Sequence, residues 1–246
     1  MRALILSDIH ANLDALNSVL ENAKNKYDIL ISLGDIVGYG PNPNECVEII
    51  AEKASASLAG NHDLGVCDKI KTDDFSPRAQ YSQNWTQGTL NDSSLKYLNT
   101  LRPSMLYEKI FLSHGSPGNS IWGYIFSEMD AIIAFASVNF SLSFFGHTHV
   151  PSYFATSSAE GIKRPIKIKN GKANRFIKTK DVAKRILMNP GSVGFPRTNL
   201  TLDDKNNSFS YAEYALFDLE SGKWQFKQVR YDITHTRQLM LENGLR

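Results

Sequence analysis

Five of the six histidines in this 246-residue chain fall in four short clusters, each beside a carboxylate, an amide or a glycine. The clusters are Asp8-Ile9-His10, Gly60-Asn61-His62-Asp63, His114-Gly115 and Gly146-His147-Thr148-His149. A fifth segment, Gly34-Asp35-Ile36-Val37-Gly38, lies between the first two. Asp, Asn and His together form the ligand set of a borderline metal held through oxygen and nitrogen. Each cluster follows a short apolar run, which reads as a loop at a strand end. The chain therefore has to fold so that several strand ends converge on one site.

The hydrophobic pattern supplies those strands. Residues 2–6 read as a buried strand ending at Ser7-Asp8, and Leu13, Leu16, Leu20 and Ala23 recur at helical spacing. Residues 28–33 predict a second strand, and the Pro-Asn-Pro turn at 41–43 predicts a helix with Asn44 as its N-cap. A short strand over 57–59 completes a β-α-β-α-β opening, the signature of an α/β sheet with crossover helices. Residues 63–101 read as mostly helical, anchored by Trp85, Leu90, Leu95, Leu98 and Leu101. Strands are predicted at 110–112 and 142–145, with a helix at 128–138 between them. After Pro151, alternating runs at 151–156, 165–169, 214–218 and 224–231 predict antiparallel strands. A closing helix spans 234–243 with Gly244 at C′. Neither a repeat nor a linker divides the sequence, so one domain over 1–246 is expected.

Composition narrows the classes of partner. The apolar fraction of 42% and charged fraction of 21% are those of an ordinary soluble protein, and the net charge is only +2. Ten Lys or Arg stand against Asp181 alone from Lys163 to Arg185. Such a stretch could meet a polyanion, but a solvated β-hairpin with lysines outward is the simpler reading, and nucleic acid is not the expected partner. Cys46 and Cys67 fit neither a C-x-x-C motif nor a disulfide framework and are expected to be reduced. With no apolar stretch of signal-peptide or membrane-span length, the expected location is the cytoplasm.

Ligand counting sharpens the site. Asp8, Asp35, Asn61, His10, His114, His147 and His149 give seven groups, too many for one tetrahedral ion. They suit two ions sharing a carboxylate, roughly 3.5–4 Å apart in two-metal hydrolases. Such a pair activates a bridging hydroxide and clamps phosphoryl oxygens. On an extended segment His147 and His149 would point to one face.

These clusters, in this order, resemble the calcineurin-like metallophosphoesterase superfamily, with its D-x-H, G-D-x-x, G-N-H-[DE], H and G-H-x-H pattern over residues 8–149. Ser7–Leu16, Gly34–Cys46, His114–Pro117 and Asn189–Arg197 further resemble its small bacterial and archaeal phosphodiesterase branch. The resemblance implies an α/β fold of two packed, mixed β-sheets flanked by helices, a four-layer sandwich. It implies one ion at Asp8, His10, Asp35 and His149 and another at Asp35, Asn61, His114 and His147, drawn from Mn, Fe, Ni, Co or Zn. It makes His62 the catalytic acid or a donor to the phosphoryl oxygen, and leaves Asp63 supporting the loop.

Gly38 and Tyr39 stand where many protein phosphatases of the superfamily carry Asp and Arg, which argues against a phosphoprotein substrate. Phosphate is instead expected at Asn12, at the backbone of Gly191-Ser192-Val193, or at Arg197. The expected activity is hydrolysis of a phosphodiester or phosphomonoester of a small molecule, a nucleotide being the candidate. Trp85, Trp122 and Tyr124 are available to stack on a base, although packing is the commoner role. The alternatives are a non-catalytic metal-binding scaffold on the same fold and, despite Gly38 and Tyr39, a phosphoprotein phosphatase.

Overall fold

The computed structural model describes residues 1–156, 166–168, 176–179, 185–197 and 208–245. In chain order its strands are β1 (Arg2–Leu6), β2 (Ile29–Ser32), β3 (Ala54–Ser57), β4 (Ser104–Tyr107), β5 (Ile110–Ser113) and β6 (Leu142–Phe144). There follow β7 (Ser152–Thr156), β8 (Ile166–Ile168), β9 (Phe176–Lys178), β10 (Arg185–Asn189), β11 (Phe209–Asp218) and β12 (Lys223–Asp232). The helices are α1 (Leu13–Ala23), α2 (Pro43–Lys53), α3 (Asn61–Val66), α4 (Pro77–Thr89), α5 (Asp92–Thr100), α6 (Glu128–Ser137) and α7 (Thr234–Glu242).

The strands form two mixed sheets, ordered β3-β2-β1-β11-β12-β9 and β4-β5-β6-β10-β7-β8. In the first sheet β1, β2 and β3 run parallel, as the β-α-β-α-β opening predicts. In the second, β5, β6 and β10 are parallel. Alternation along β1 shows why the sheets pack. Ala3 and Ile5 join Phe144, Met188 and Trp224 in the core between the sheets, while Leu4 and Leu6 face the opposite way. That outer core is closed by Leu16 and Val19 of α1, Val47 and Ile50 of α2 and Met240 of α7. Ala131, Ala134 and Phe135 of α6 cover the far side of the second sheet, against Phe154 and Leu187. The result is the four-layer order of helices, sheet, sheet and helix.

Several local expectations are revised. Helix α2 starts at Pro43 with Asn42 as N-cap, because proline's fixed φ suits the first helical turn. Asn44 instead donates to Thr89 O at 3.0 Å and accepts from Asn91 N at 2.9 Å, tying α2 to the α4–α5 junction. Strand β3 ends at Ser57, so the buried Leu58 and Ala59 lie beyond the ladder. Most of the basic 163–185 stretch lies outside the described residues. Its strands β8 and β9 do not form one hairpin, since they pair with β7 and β12 at the edges of different sheets. Cys46 sits in the outer core and Cys67 is partly buried, both as free thiols. No described helix is long and apolar enough to cross a membrane.

Candidate metal centre

The parallel strands of both sheets deliver their carboxyl ends to one seam. Asp8 and His10 follow β1, Asp35 follows β2, His114 follows β5, and His147 and His149 follow β6. Asn61 and His62 open α3, after β3. The connections turn sharply here. Asp8, His10, Ala11, Asp35, Tyr39, His147 and His149 all take left-handed φ values between 50° and 64°. Such conformations cost non-glycine residues free energy and persist where surrounding structure enforces them. His147 and His149 therefore reach the site from a turn, not from the extended segment their spacing suggested.

The side chains close into two adjoining groups. Ligand atoms of Asp8, His10, Asp35 and His149 lie within 4.8 Å of one another, as do those of Asp35, His114 and His147. Asp35 belongs to both. Asn61 Oδ1 lies 3.2 Å from His114 Nε2, on the edge of the second group. His149 Nε2 is 3.3 Å from Asp8 Oδ1, and His114 Nε2 is 3.4 Å from Asp35 Oδ2.

Donor chemistry tests whether cations fit. Nδ1 of His10, His114 and His149 lies 3.2, 2.9 and 2.7 Å from the carbonyls of Val37, Leu33 and Phe195. A carbonyl can only accept, so each neutral ring carries its proton on Nδ1 and turns an Nε2 lone pair inward. Where both rings are neutral, His10 Nε2 and His149 Nε2 face each other at 3.1 Å as lone pairs. His147 Nε2 is buried without a hydrogen-bond partner. Two facing lone pairs and an unpartnered ring nitrogen beside buried carboxylates fit divalent cations, and the ring orientation is that of metal-bound histidines.

The charges within the cluster differ from ring to ring. Burial drives His147 down to about 3, and drives His10 and His62 below the ordinary imidazole range. Burial also opposes a charge on His114, but Asp35 beside it outweighs this and lifts it to about 9. For Asp8 and Asp35 burial favours the neutral acid, yet the surrounding imidazoles hold both below the usual carboxylate range. Burial and the Asp35 charge push Asp63 up to about 7, against backbone N–H groups of Gly60, Val37 and Ile36. Asp63 accepts from Ile36 N and Val37 N at 3.0 Å and from Gly60 N at 2.9 Å, and so fastens the β2 loop to the start of α3.

His62 stands beside the cluster. Its backbone N–H donates to Asp35 Oδ1 at 2.9 Å, and its ring lies 5.1 Å from that of His10, 4.7 Å from Tyr39 and 5.0 Å from Phe75. Its Nδ1 is buried without a partner against Gly38, where a Cβ would fall 2.4 Å away. Gly38 holds φ at +91°, so glycine answers both demands, and the ring has no carboxylate support at this position. The neutral tautomer that avoids a stranded buried N–H places the proton on Nε2.

Two expected phosphate contacts are committed elsewhere. Asn12 is fully buried as the N-cap of α1, accepting from Ala15 N at 3.1 Å and donating to Gly194 O and Tyr231 Oη at 3.1 and 3.0 Å. The loop after β10 is not an anion cradle either. Gly191 N donates to Asn189 Oδ1, Val193 N to Ser7 O and Gly194 N to Asp8 O. It instead braces the cluster: Ser192 Oγ donates to Asp8 O at 2.8 Å, and Phe195 O receives His149 Nδ1. Asn189 donates to Gly146 O and Thr148 Oγ1, holding the turn that carries both histidines. Arg197 is exposed, and its charge acts on both the Tyr39 and Tyr124 phenols. Tyr39, Phe75, Phe195 and Asn189 had no site role in the sequence, because their parts are set by three-dimensional packing. His235 is exposed and pairs with Asp14 at 3.1 Å, away from the cluster.

The calcineurin-like phosphoesterase profile matches residues 1–151, which include every member of both groups. The chain belongs to that family. An uncharacterised protein of Methanocaldococcus jannaschii is 36% identical over 249 residues, covering 98% of this chain and 92% of its own. A metallophosphoesterase from Sphaerobacter thermophilus, solved by crystallography, is 36% identical with a TM-score of 0.82, covering 100% of this chain and 95% of that one. A hypothetical protein from Pyrococcus horikoshii OT3, at 20% identity and a TM-score of 0.73, shares the fold over 100% of this chain and 94% of its own. Family membership implies a hydrolase, and the buried Asp and His groups could hold metal.

Proposed function

We propose that this protein hydrolyses a phosphate ester of a small molecule with two divalent ions held at the sheet seam. Asp8, His10, Asp35 and His149 would hold one, and Asp35, Asn61, His114 and His147 the other. The observation that carries the reading is the convergence of His10 Nε2 and His149 Nε2, 3.1 Å apart, on the buried carboxylates of Asp35 and Asp8. Bound there, the ions would supply Lewis-acid stabilisation of the phosphoryl group and a nucleophile at neutral pH. Divalent first-row ions such as manganese suit this nitrogen and oxygen set.

The chain's own residues supply orientation and a proton donor. Backbone carbonyls of Leu33, Val37 and Phe195 fix the orientation of three imidazoles, so the rings need no reorientation. His62, neutral with Nε2–H available, acts as a hydrogen-bond donor to the phosphoryl or leaving oxygen. A role as protonated acid is disfavoured by burial and by its unpartnered Nδ1. Arg197, whose charge acts on the Tyr39 and Tyr124 phenols, would meet the charge of the substrate.

The test is metal loading followed by turnover. Protein treated with Mn²⁺ or Ni²⁺ should bind two ions per chain and hydrolyse an aryl phosphodiester or monoester, and Asp35→Asn should lose both properties. A metal-loaded protein that turns over neither ester with any divalent ion would sink the proposal and favour a non-catalytic scaffold.

A further inference from the structure

The backbone of His62 is pinned at both ends, yet no polar group holds its ring. Its N–H donates to Asp35 Oδ1 at 2.9 Å, and its carbonyl accepts from Gln83 Nε2 at 3.1 Å. Among the described residues no hydrogen bond reaches the imidazole, whose Nδ1 is buried against Gly38. The χ2 torsion of an imidazole is broad and roughly two-fold. Half a turn about it exchanges Nδ1 with Cδ2 and Nε2 with Cε1, so a carbon would stand where the Nε2–H donor is needed. The direction of that donor is therefore set by whatever packs around the ring.

Those neighbours are aromatic. The Tyr39, Phe75 and His10 rings lie 4.7, 5.0 and 5.1 Å from it, at separations where rings attract one another. Tyr39 also meets the His10 ring at 4.9 Å, whereas Phe75 pairs with His62 and Trp122 and with no proposed ligand histidine. Helix α4 and the turn before it organise the whole arrangement. Phe75 is buried there, its N–H donating to Thr72 O and its carbonyl accepting from Gln80 Nε2, both at 3.0 Å. From the same helix the buried Ser82 Oγ accepts from Tyr39 N, and the buried Gln83 holds the His62 carbonyl. One segment thus fixes the His62 backbone, one ring beside it and the loop that carries the other.

We infer that Phe75 is a positioning residue for His62, forming with Tyr39 an aromatic clamp that selects one χ2 orientation of the imidazole and keeps its Nε2–H available to the substrate. The clamp rests on the phosphoesterase reading above and adds positioning residues to its proton donor. Close-packed rings hold this imidazole by shape, where a carboxylate would hold it by a hydrogen bond.

The test has two readouts on the full-length protein. With nitrogen-labelled histidine and Zn²⁺ loading, NMR of the parent should show one sharp set of His62 ring signals of the Nε2–H tautomer, assigned by their loss in His62→Ala. Phe75→Leu should broaden or split that set. In steady-state kinetics on an aryl phosphodiester with Mn²⁺, Phe75→Leu should lower kcat by about tenfold to a hundredfold, with KM and metal content unchanged. In a His62→Ala background the same substitution should cost less than about twofold, since both act through one ring. Phe75→Met, which fills similar space without a flat ring, should reproduce both changes and serves if the leucine variant does not fold. A sharp and unshifted His62 set in the variants, or an equal loss of kcat with and without His62, overturns the clamp and leaves the metal centre intact. Absence of turnover in the parent with any divalent ion overturns the phosphoesterase reading, and the His62 ring signals then decide the clamp alone.

Discussion

At the scale of single residues, His62 and Gly38 form one functional unit. The imidazole touches no carboxylate, and its Nδ1 rests against the bare Cα of Gly38. Removing a donor aimed at developing phosphoryl charge costs about 10²–10³ in kcat. His62→Ala should show that loss with metal content unchanged, measured by steady-state kinetics and metal analysis. Gly38→Ala should approach the same loss, because its Cβ would lie 2.4 Å from Nδ1 and its φ of +91° disfavours any side chain. Adding Gly38→Ala to His62→Ala should cost little further kcat, since both act through one ring. Additive losses in the double variant would show that Gly38 acts elsewhere.

At the scale of elements, the cluster depends on loops being pinned to one another more than on any one strand. Asp63 does this for β2 and α3 by receiving three buried backbone N–H groups. Each donor left unsatisfied costs about 1–3 kcal/mol. Asp63→Ala should therefore lower the unfolding free energy by at least about 3 kcal/mol and weaken metal binding through Asp35. Asp63→Asn retains an acceptor and should lose less. Denaturant unfolding measures both, and a loss below about 1 kcal/mol for the alanine variant would contradict the clamp.

The sequence made the strand ends legible because buried parallel strands are continuous apolar runs and polar clusters punctuate them. It hid β4, whose Leu106 is 66% exposed at the sheet edge and so breaks the alternation that would mark a strand. It also hid β10, five residues following a lysine-rich stretch, although this strand lies between β6 and β7. The seven clustered Asp, Asn and His residues were readable from composition and order. The duties of Asn12 and the loop after β10 were not, since only tertiary contacts reveal that Tyr231, Ser7 and Asp8 consume their hydrogen bonds.

At the scale of the whole molecule, the cluster lies where the two sheets meet and draws on both. Asp8, His10 and Asp35 come from strand ends of the first sheet, while His114, His147 and His149 come from the second. Direct contacts already bridge the seam, for instance from His147 N to Asp8 at 3.1 Å and from His114 Nδ1 to Leu33 O at 2.9 Å. An ion in either group would join both sheets, so binding should act on the packing of the whole molecule and not only on one loop. At a hundredfold excess over Kd, one such ion stabilises the folded state by about 2.7 kcal/mol. For a chain of this size that corresponds to a Tm rise of roughly 5–10 °C on metal loading, reversed by chelation. Hydrogen exchange should locate the effect: protection should rise together in residues 7–12, 33–39 and 146–150, and stay unchanged in edge strand β4. Protection confined to the loops of one sheet would mean that the ions do not span the seam, and the shared role of Asp35 would fall with that result.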